Sequence, residues 1–199
     1  MICNRRHFLG AIAAWATSLA APKAFAAVRS ESAPALLARA REALAVHGGA
    51  IAHHDVMGLV DFGLPSGLPR FDLVDIGNGR VLTSYLVSHG RGSDPGNSGW
   101  AERFSNRPGS NASSRGSFVT GSLYNGKHGR SRKIAGLDPE NNLAEERAIV
   151  IHGAGYVSPG AALAQGRIGR SEGCFAVSWG DIGDLLENLG EGRLLYAWK

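Results

Sequence analysis

The chain has 199 residues, 44% of them hydrophobic and 19% charged, which excludes a disordered or coiled-coil chain and fits one domain. Glycine is in excess, with 28 residues and no collagen-like period, and this favours a β-rich fold with many turns. The formal charge of +4 raises nucleic acid as a partner until the placement of the charges is considered.

Residues 1–26 read as an export signal. Arg5-Arg6 precede Phe8-Leu9, a mildly apolar stretch runs from Gly10 to Ala21, and Ala24-Phe25-Ala26 offers small residues where a signal peptidase reads. Asn4-Arg5-Arg6-His7-Phe8-Leu9 resembles the motif of the twin-arginine pathway, which implies export in the folded state, to the periplasm. The apolar stretch is too short to span a bilayer, so no stable membrane anchor is expected. Cleavage after Ala26 removes Arg5, Arg6 and Lys23 and no acidic residue. The mature chain is then close to neutral, and nucleic acid becomes a poor fit. Cys3 leaves with the signal, so Cys174 is the sole mature cysteine. A lone thiol in an oxidising compartment is a reactive group unless it is buried.

Residues 27–55 form an N-terminal helical segment. Ser32 caps a helix to His47 with Leu36, Leu37, Ala40 and Leu44 on one face, and Gly48-Gly49 ends it. His53-His54-Asp55 has metal-ligand chemistry, but neighbours on an extended chain point to opposite faces and no second cluster follows, so no metal site is expected. Residues 56–199 hold strand-like runs at 56–62, 70–76 and 80–88, the last two joined by Gly77-Asn78-Gly79. From His89 to Arg115 the chain is rich in Gly, Ser, Asn and Arg, which predicts a long surface loop of functional use. Further strands are predicted at 116–120, 133–137, 148–152 and 194–198, with a helix from a Ser178 cap to Leu189. The fold class is mainly β with a few helices.

The chemistry gathers at two places. Ala148-Ile149-Val150-Ile151 is a buried-strand pattern ending in His152-Gly153, and Gly169-Arg170-Ser171-Glu172-Gly173-Cys174 leads into Phe175-Ala176-Val177. A histidine at a buried strand end needs partners for its ring nitrogens. A thiol on a Gly turn beside it fits a nucleophile and general base for acyl transfer, the imidazole drawing the thiol proton or pairing with the thiolate. The same two residues also fit a core histidine and a small core hydrophobe.

His152-Gly153 followed by Ser171-Glu172-Gly173-Cys174 resembles the signature of L,D-transpeptidase (YkuD-type) catalytic domains, a His-Gly and then Ser/Thr-His-Gly-Cys. The resemblance is closer to a divergent murein L,D-transpeptidase branch. It extends through Arg103-Phe104-Ser105-Asn106, Gly116 to Gly121, Tyr124-Asn125-Gly126-Lys127-His128-Gly129 and Gly169-Arg170-Ser171. It implies an L,D-transpeptidase-like β-sandwich acting on peptidoglycan stem peptides, with no cofactor and with carbapenem sensitivity. Cys174 is then the nucleophile and His152 the base, and Ser171, Gly173 and Gly153 belong to the active-site turn and its oxyanion donors. Arg170, Tyr124, Lys127 and His128 are expected to bind substrate. Glu172 departs from the common histidine and would raise the thiol pKa if it pointed inward, with Arg170 as the offset. Ala176 stands where many members carry Arg or Asn. The reading leaves three outcomes open: transfer to an amine, hydrolysis as an L,D-carboxypeptidase or endopeptidase, and a non-catalytic wall-binding module. His89-Gly90 is placed near the site or at a strand end. Arg103 to Lys133 carries seven basic residues and no acidic one, a cluster suited either to substrate carboxylates or to a solvated loop.

Overall fold

A computed structural model describes residues 33–199; the expected export signal at 1–26 and the expected cap at Ser32 lie outside the described residues. The elements run α1 (Ala33–His47), β1 (Val56–Asp61), β2 (Phe71–Asp75), β3 (Val81–Tyr85), β4 (Gly116–Gly126) and β5 (Gly129–Gly136). They continue with β6 (Val150–Gly153), α2 (Pro159–Gln165), β7 (Phe175–Val177), α3 (Ile182–Asn188) and β8 (Leu194–Trp198). All eight strands join one sheet in the order β3-β2-β1-β8-β4-β5-β6-β7. The β1–β8 and β6–β7 pairs are parallel and the others antiparallel.

The sheet curls over its own core. Phe62, just after β1, and Phe175 on β7 have ring centroids 6.1 Å apart, although five strand spacings, about 24 Å on a flat sheet, separate β1 from β7. Val60, Phe71, Leu73, Phe118, Ile134, Ile151, Phe175, Val177, Leu195 and α3 residues Leu185 and Leu186 fill the space so enclosed. This is the sandwich-like packing of the mainly β class. Helix α1 covers the other face, where Leu36 and Ala40 meet Met57, Leu59, Val74, Leu194 and Tyr196. Covering both faces of β1 explains why its sequence is an apolar run with no polar alternation.

The two ends of the strand order approach each other. The Ser88 N–H donates to the Ala176 carbonyl at 2.8 Å, and Ser171 N–H to the His89 carbonyl at 2.9 Å. The chain beyond β3 therefore meets the chain leading into β7, and the Ser171–Cys174 turn sits at this seam.

Three differences from the sequence expectations have local causes. The β4–β5 hairpin is longer than the predicted strands, because Gly121, Asn125 and Gly126 are carried in it with a register shift between Thr120 and Leu123. Helix α2 buries no side chain, so no apolar period announced it; Ser158 accepts from Ala161 N–H at the cap and Pro159 occupies the first turn. Helix α3 begins at Ile182 with Asp181 at its cap position. Ser178 instead closes the preceding turn, its Oγ accepting from Asp181 N–H at 3.1 Å and donating to Asp181 Oδ2 at 2.7 Å.

The predicted surface loop is partly interior. His89, Ser93, Asp94, Ala101, Ala112, Ser113 and Ser114 are all buried. Side chains satisfy its irregular backbone, which makes that burial tolerable. Asp94 accepts from Ser98 N–H and Gly99 N–H, and Ser93 Oγ from Ser113 N–H.

Candidate active site

Parallel pairing of β6 and β7 sets Ile151 opposite Phe175, His152 opposite Ala176 and Gly153 opposite Val177. Cys174 precedes β7 by one residue, and continuing the register one step back sets it opposite Val150. Side chains alternate along a strand, so Ile151, Phe175 and Val177 face the main core while His152 and Cys174 share the opposite face as diagonal neighbours. Ala176 lies on that face too, in a small cluster with Leu86, Ala154, Val157 and Ile168.

His152 is buried and its Nδ1 lies 2.9 Å from the Gly153 carbonyl. A carbonyl only accepts, so Nδ1 carries the proton and Nε2 is the basic nitrogen of the neutral ring. Burial holds its pKa below the usual histidine range, the Gly153 carbonyl pulling upward and His128 and Lys127 adding to the depression. Burial likewise pushes the Cys174 thiol up, and the Glu172 charge adds to this, while Val150 N–H, Lys127 and Arg147 act against it. Both shifts favour a neutral thiol beside a neutral imidazole, in contrast to a preformed thiolate–imidazolium pair. Cys174 is a free thiol whose Sγ lies 3.6 Å from the Ala148 carbonyl. Ala148 itself has φ +54, an uncommon conformation for a side-chain-bearing residue.

The turn before Cys174 is internally stapled. Ser171 Oγ donates to the Cys174 carbonyl at 2.7 Å and accepts from Gly173 N–H at 3.2 Å. Gly173 has φ +117, and a Cβ there would lie 2.7 Å from the Ala112 carbonyl oxygen and 2.8 Å from Ile149 Cδ1. Only glycine fits. Ser171 N–H donates to the His89 carbonyl and Gly173 N–H to Ser171 Oγ, so both amides are engaged within and beneath the turn. Gly153 serves through its carbonyl and through its missing side chain. A Cβ there would come within 2.7 Å of Trp179 Cζ3, and closer still to Cε3.

Of the expected binding residues, Lys127 and His128 form the β4–β5 turn, and the His128 ring stacks on His152 with centroids 4.1 Å apart and planes 20° from parallel. Tyr124 pairs with Ser131 in the same hairpin and is half-buried. Arg170 is also half-buried, its Nη1 donating to the Asp94 carbonyl. Glu172 points outward to Arg91 at 2.8 Å, so Arg91, and not Arg170, is the cation against it.

The basic run from Arg103 to Lys133 is not one patch. Arg132 is buried and donates to Gly121 and Leu186 carbonyls, Arg115 makes a two-pronged bond to Glu140, and Arg103 Nε donates to the Gly92 carbonyl at 2.8 Å. Arg103 and Arg107 line a cleft of about 520 Å³ with Gly92, Ser110 and Ala112.

Arg147 is a support that the sequence does not announce, and His89 is a second whose role the sequence leaves open. Arg147 reaches from just before β6 into the 105–114 segment, donating to Ser105 O at 2.7 Å, Ser114 Oγ at 2.5 Å, Ser110 Oγ at 3.3 Å and Ala112 O at 2.5 Å. His89 lies under the turn with both ring nitrogens engaged: Arg70 Nη2 donates to Nδ1 at 2.7 Å, and Nε2 faces Asp94 Oδ2 at 3.2 Å. It is a buried structural histidine with no exposure. Among the described residues no group of three or more His, Cys, Asp or Glu side chains is arranged to hold a metal ion, and no helix is long and apolar enough to cross a membrane. His54 is turned to the Ile51 carbonyl and Asp55 to Arg193.

No curated protein matches the sequence. Among solved structures the chain is similar to an L,D-transpeptidase from Xylanimonas cellulosilytica (16% identity, 74% of this chain and 62% of that one, TM-score 0.45). It is also similar to one from Mycobacterium smegmatis (14%, 73% and 59%, 0.44). A third is L,D-transpeptidase 3 from Mycobacterium tuberculosis, in complex with a faropenem-derived adduct (14%, 73% and 60%, 0.44). The chain spans about three-fifths of the length of these structures. The family model of the L,D-transpeptidase catalytic domain matches residues 30–198, which takes in the whole sheet, His152 and the Cys174 turn. The chain belongs to the L,D-transpeptidase catalytic domain family.

Proposed function

We propose that the protein is an exported cysteine acyltransferase acting on peptidoglycan stem peptides. The observation that carries this reading is the placement of His152 and Cys174 on one face of β6–β7, with Nδ1 committed to Gly153 and Nε2 left as the base. The thiol proton passes to His152 Nε2 as sulfur attacks the carbonyl that follows the L-centre of the stem. The amide of Cys174 is the donor we assign to the developing oxyanion. The tetrahedral intermediate collapses to a thioester; the C–N bond breaks, and His152 returns the proton to the departing D-Ala amine. A diamino acid amine then attacks the thioester, His152 takes its proton, and the thiol is regenerated.

Because thiol and imidazole both favour their neutral forms, general-base transfer accompanies attack. Residues 1–26 direct the chain to the periplasm through the twin-arginine route, and the chain from residue 56 onward carries the chemistry.

The test is product analysis with tetrapeptide muropeptides and the mature protein. D-Ala release with dimers linked through diamino acids supports transfer; D-Ala release without dimers makes water the acceptor. Cys174→Ala abolishes both, and His152→Ala lowers the rate on the order of 10²–10⁴-fold. Intact mass after incubation with a carbapenem shows an adduct in the wild type and none in Cys174→Ala. Absence of adduct and of D-Ala release in the wild type would leave a wall-binding module. Export is tested by fractionation of cells expressing the full chain, with Arg5→Lys and Arg6→Lys together causing cytoplasmic retention.

A further inference from the structure

Two residues before Cys174 stands Glu172, which is exposed and paired with Arg91. A second imidazole reaches His152 from the β4–β5 hairpin. Strands β4 and β5 pair as far as Gly126 and Gly129, so the chain reverses through Lys127 and His128, with Gly129 at φ +67. The reversal lays the His128 ring on that of His152, centroids 4.1 Å apart and planes 20° from parallel. Gly129 and Gly153 also lie against the same Trp179 indole, which ties the hairpin tip to the end of β6.

We infer that His128 is a positioning residue for the chemistry at Cys174: its ring fixes the plane of His152, and its charge state decides whether His152 readily accepts a proton. This rests on the acyl transfer proposed above. The Gly153 carbonyl restrains His152 through Nδ1, an in-plane contact that leaves the ring free to tilt. The stacked ring removes that freedom by covering one face.

The same contact couples the two charges. Imidazolium cations about 4 Å apart repel strongly at the effective dielectric of a half-buried site, so the pair takes up its protons in separate steps. Lys127 opposes protonation of both rings, while Glu172 favours it on His128. His152 is buried and His128 only half-buried. His128 therefore takes the first proton as pH falls, and its cation then opposes a second on His152.

The experiment is an imidazole NMR titration of wild type, His128→Phe and His128→Ala, paired with the pH dependence of carbapenem acylation of Cys174. Phenylalanine keeps the stack and cannot charge, so His152 titrates at higher pH in His128→Phe than in wild type, and the acid limb of acylation moves up with it. Alanine removes the stack as well, and its plateau rate falls below that of His128→Phe. Identical titration of His152 in wild type and His128→Phe, or equal plateau rates in the two variants, overturns the inference. If no protein form is acylated, the acyl-transfer reading fails, while the NMR titration still decides the coupling.

Discussion

Ser171 Oγ donates to the carbonyl of Cys174 at 2.7 Å while accepting the amide of Gly173 at 3.2 Å. One hydroxyl thus holds both sides of the turn, and the direction of the Cys174 amide depends on it. Ser171→Ala leaves the Cys174 carbonyl and Gly173 amide without this partner in a buried turn, at a cost of about 1–2 kcal/mol. Acylation of Cys174 by a carbapenem slows by about tenfold or more as the turn loosens, and thermal melting measures the stability loss. A variant that melts lower but acylates at the wild-type rate would restrict Ser171 to folding.

The buried His89 makes stability depend on acid. Burial, with the Arg70 charge adding to it and Asp94 pulling the other way, lowers its pKa from 6.5 to about 4. As pH falls from about 6.5 towards 4, the unfolded chain takes up a proton that the folded chain refuses. Stability therefore declines across that window, by as much as about 3 kcal/mol. Urea melts at pH 7, 6, 5 and 4 measure the decline. His89→Gln cannot titrate; it is less stable at pH 7 and has a shallower slope between pH 6.5 and 4.

Gly153 and Trp179 are mutually dependent. Trp179 is 56% exposed, yet its ring lies where a Cβ of residue 153 would project, with Ile182 Cγ2 also only 3.2 Å from that point. Gly153→Ala must displace the indole or the end of β6, which costs about 1–3 kcal/mol and moves the carbonyl that orients His152. Trp179→Ala in the same chain relieves most of that strain. Comparing the single variants with the double variant in a stability cycle gives a coupling of about 1 kcal/mol or more, and none would be found if the indole simply swung away.

The parts legible in sequence were those whose signal is local. His152-Gly153 ends a buried run, Cys174 follows a Gly turn, and the strands beginning at Val56, Phe71 and Leu194 carry apolar residues that the core requires. What stayed hidden depends on distant partners. Nothing around Arg147 in sequence indicates that its guanidinium will enter the 105–114 segment, and nothing around Arg91 marks it as the partner of Glu172. The basic run from Arg103 to Lys133 looked uniform because a string of charges does not record which side chains turn inward; Arg132 and Arg115 are already occupied by Leu186, Gly121 and Glu140. The polar loop resembles surface in sequence for the same reason, since the side-chain bonds of Asp94 and Ser93 that permit burial join residues whose spatial order the sequence does not give.

Arg147 is the residue on which the loop and the thiol most directly meet. Its guanidinium satisfies four acceptors between Ser105 and Ser114, and Nη2 lies 3.3 Å from where a Gly173 Cβ would stand. Its charge also draws the Cys174 thiol down against the upward push of burial and Glu172. Arg147→Met keeps much of the volume but leaves those acceptors without their donor, so stability falls by about 3 kcal/mol or more. The thiol pKa rises, and alkylation of Cys174 followed against pH shifts towards the alkaline side. Arg147→Lys retains the charge without the forked geometry, so it recovers much of the thiol shift and little of the stability. Equal alkylation profiles for Arg147→Met and Arg147→Lys would show that Arg147 acts on Cys174 only by holding the loop.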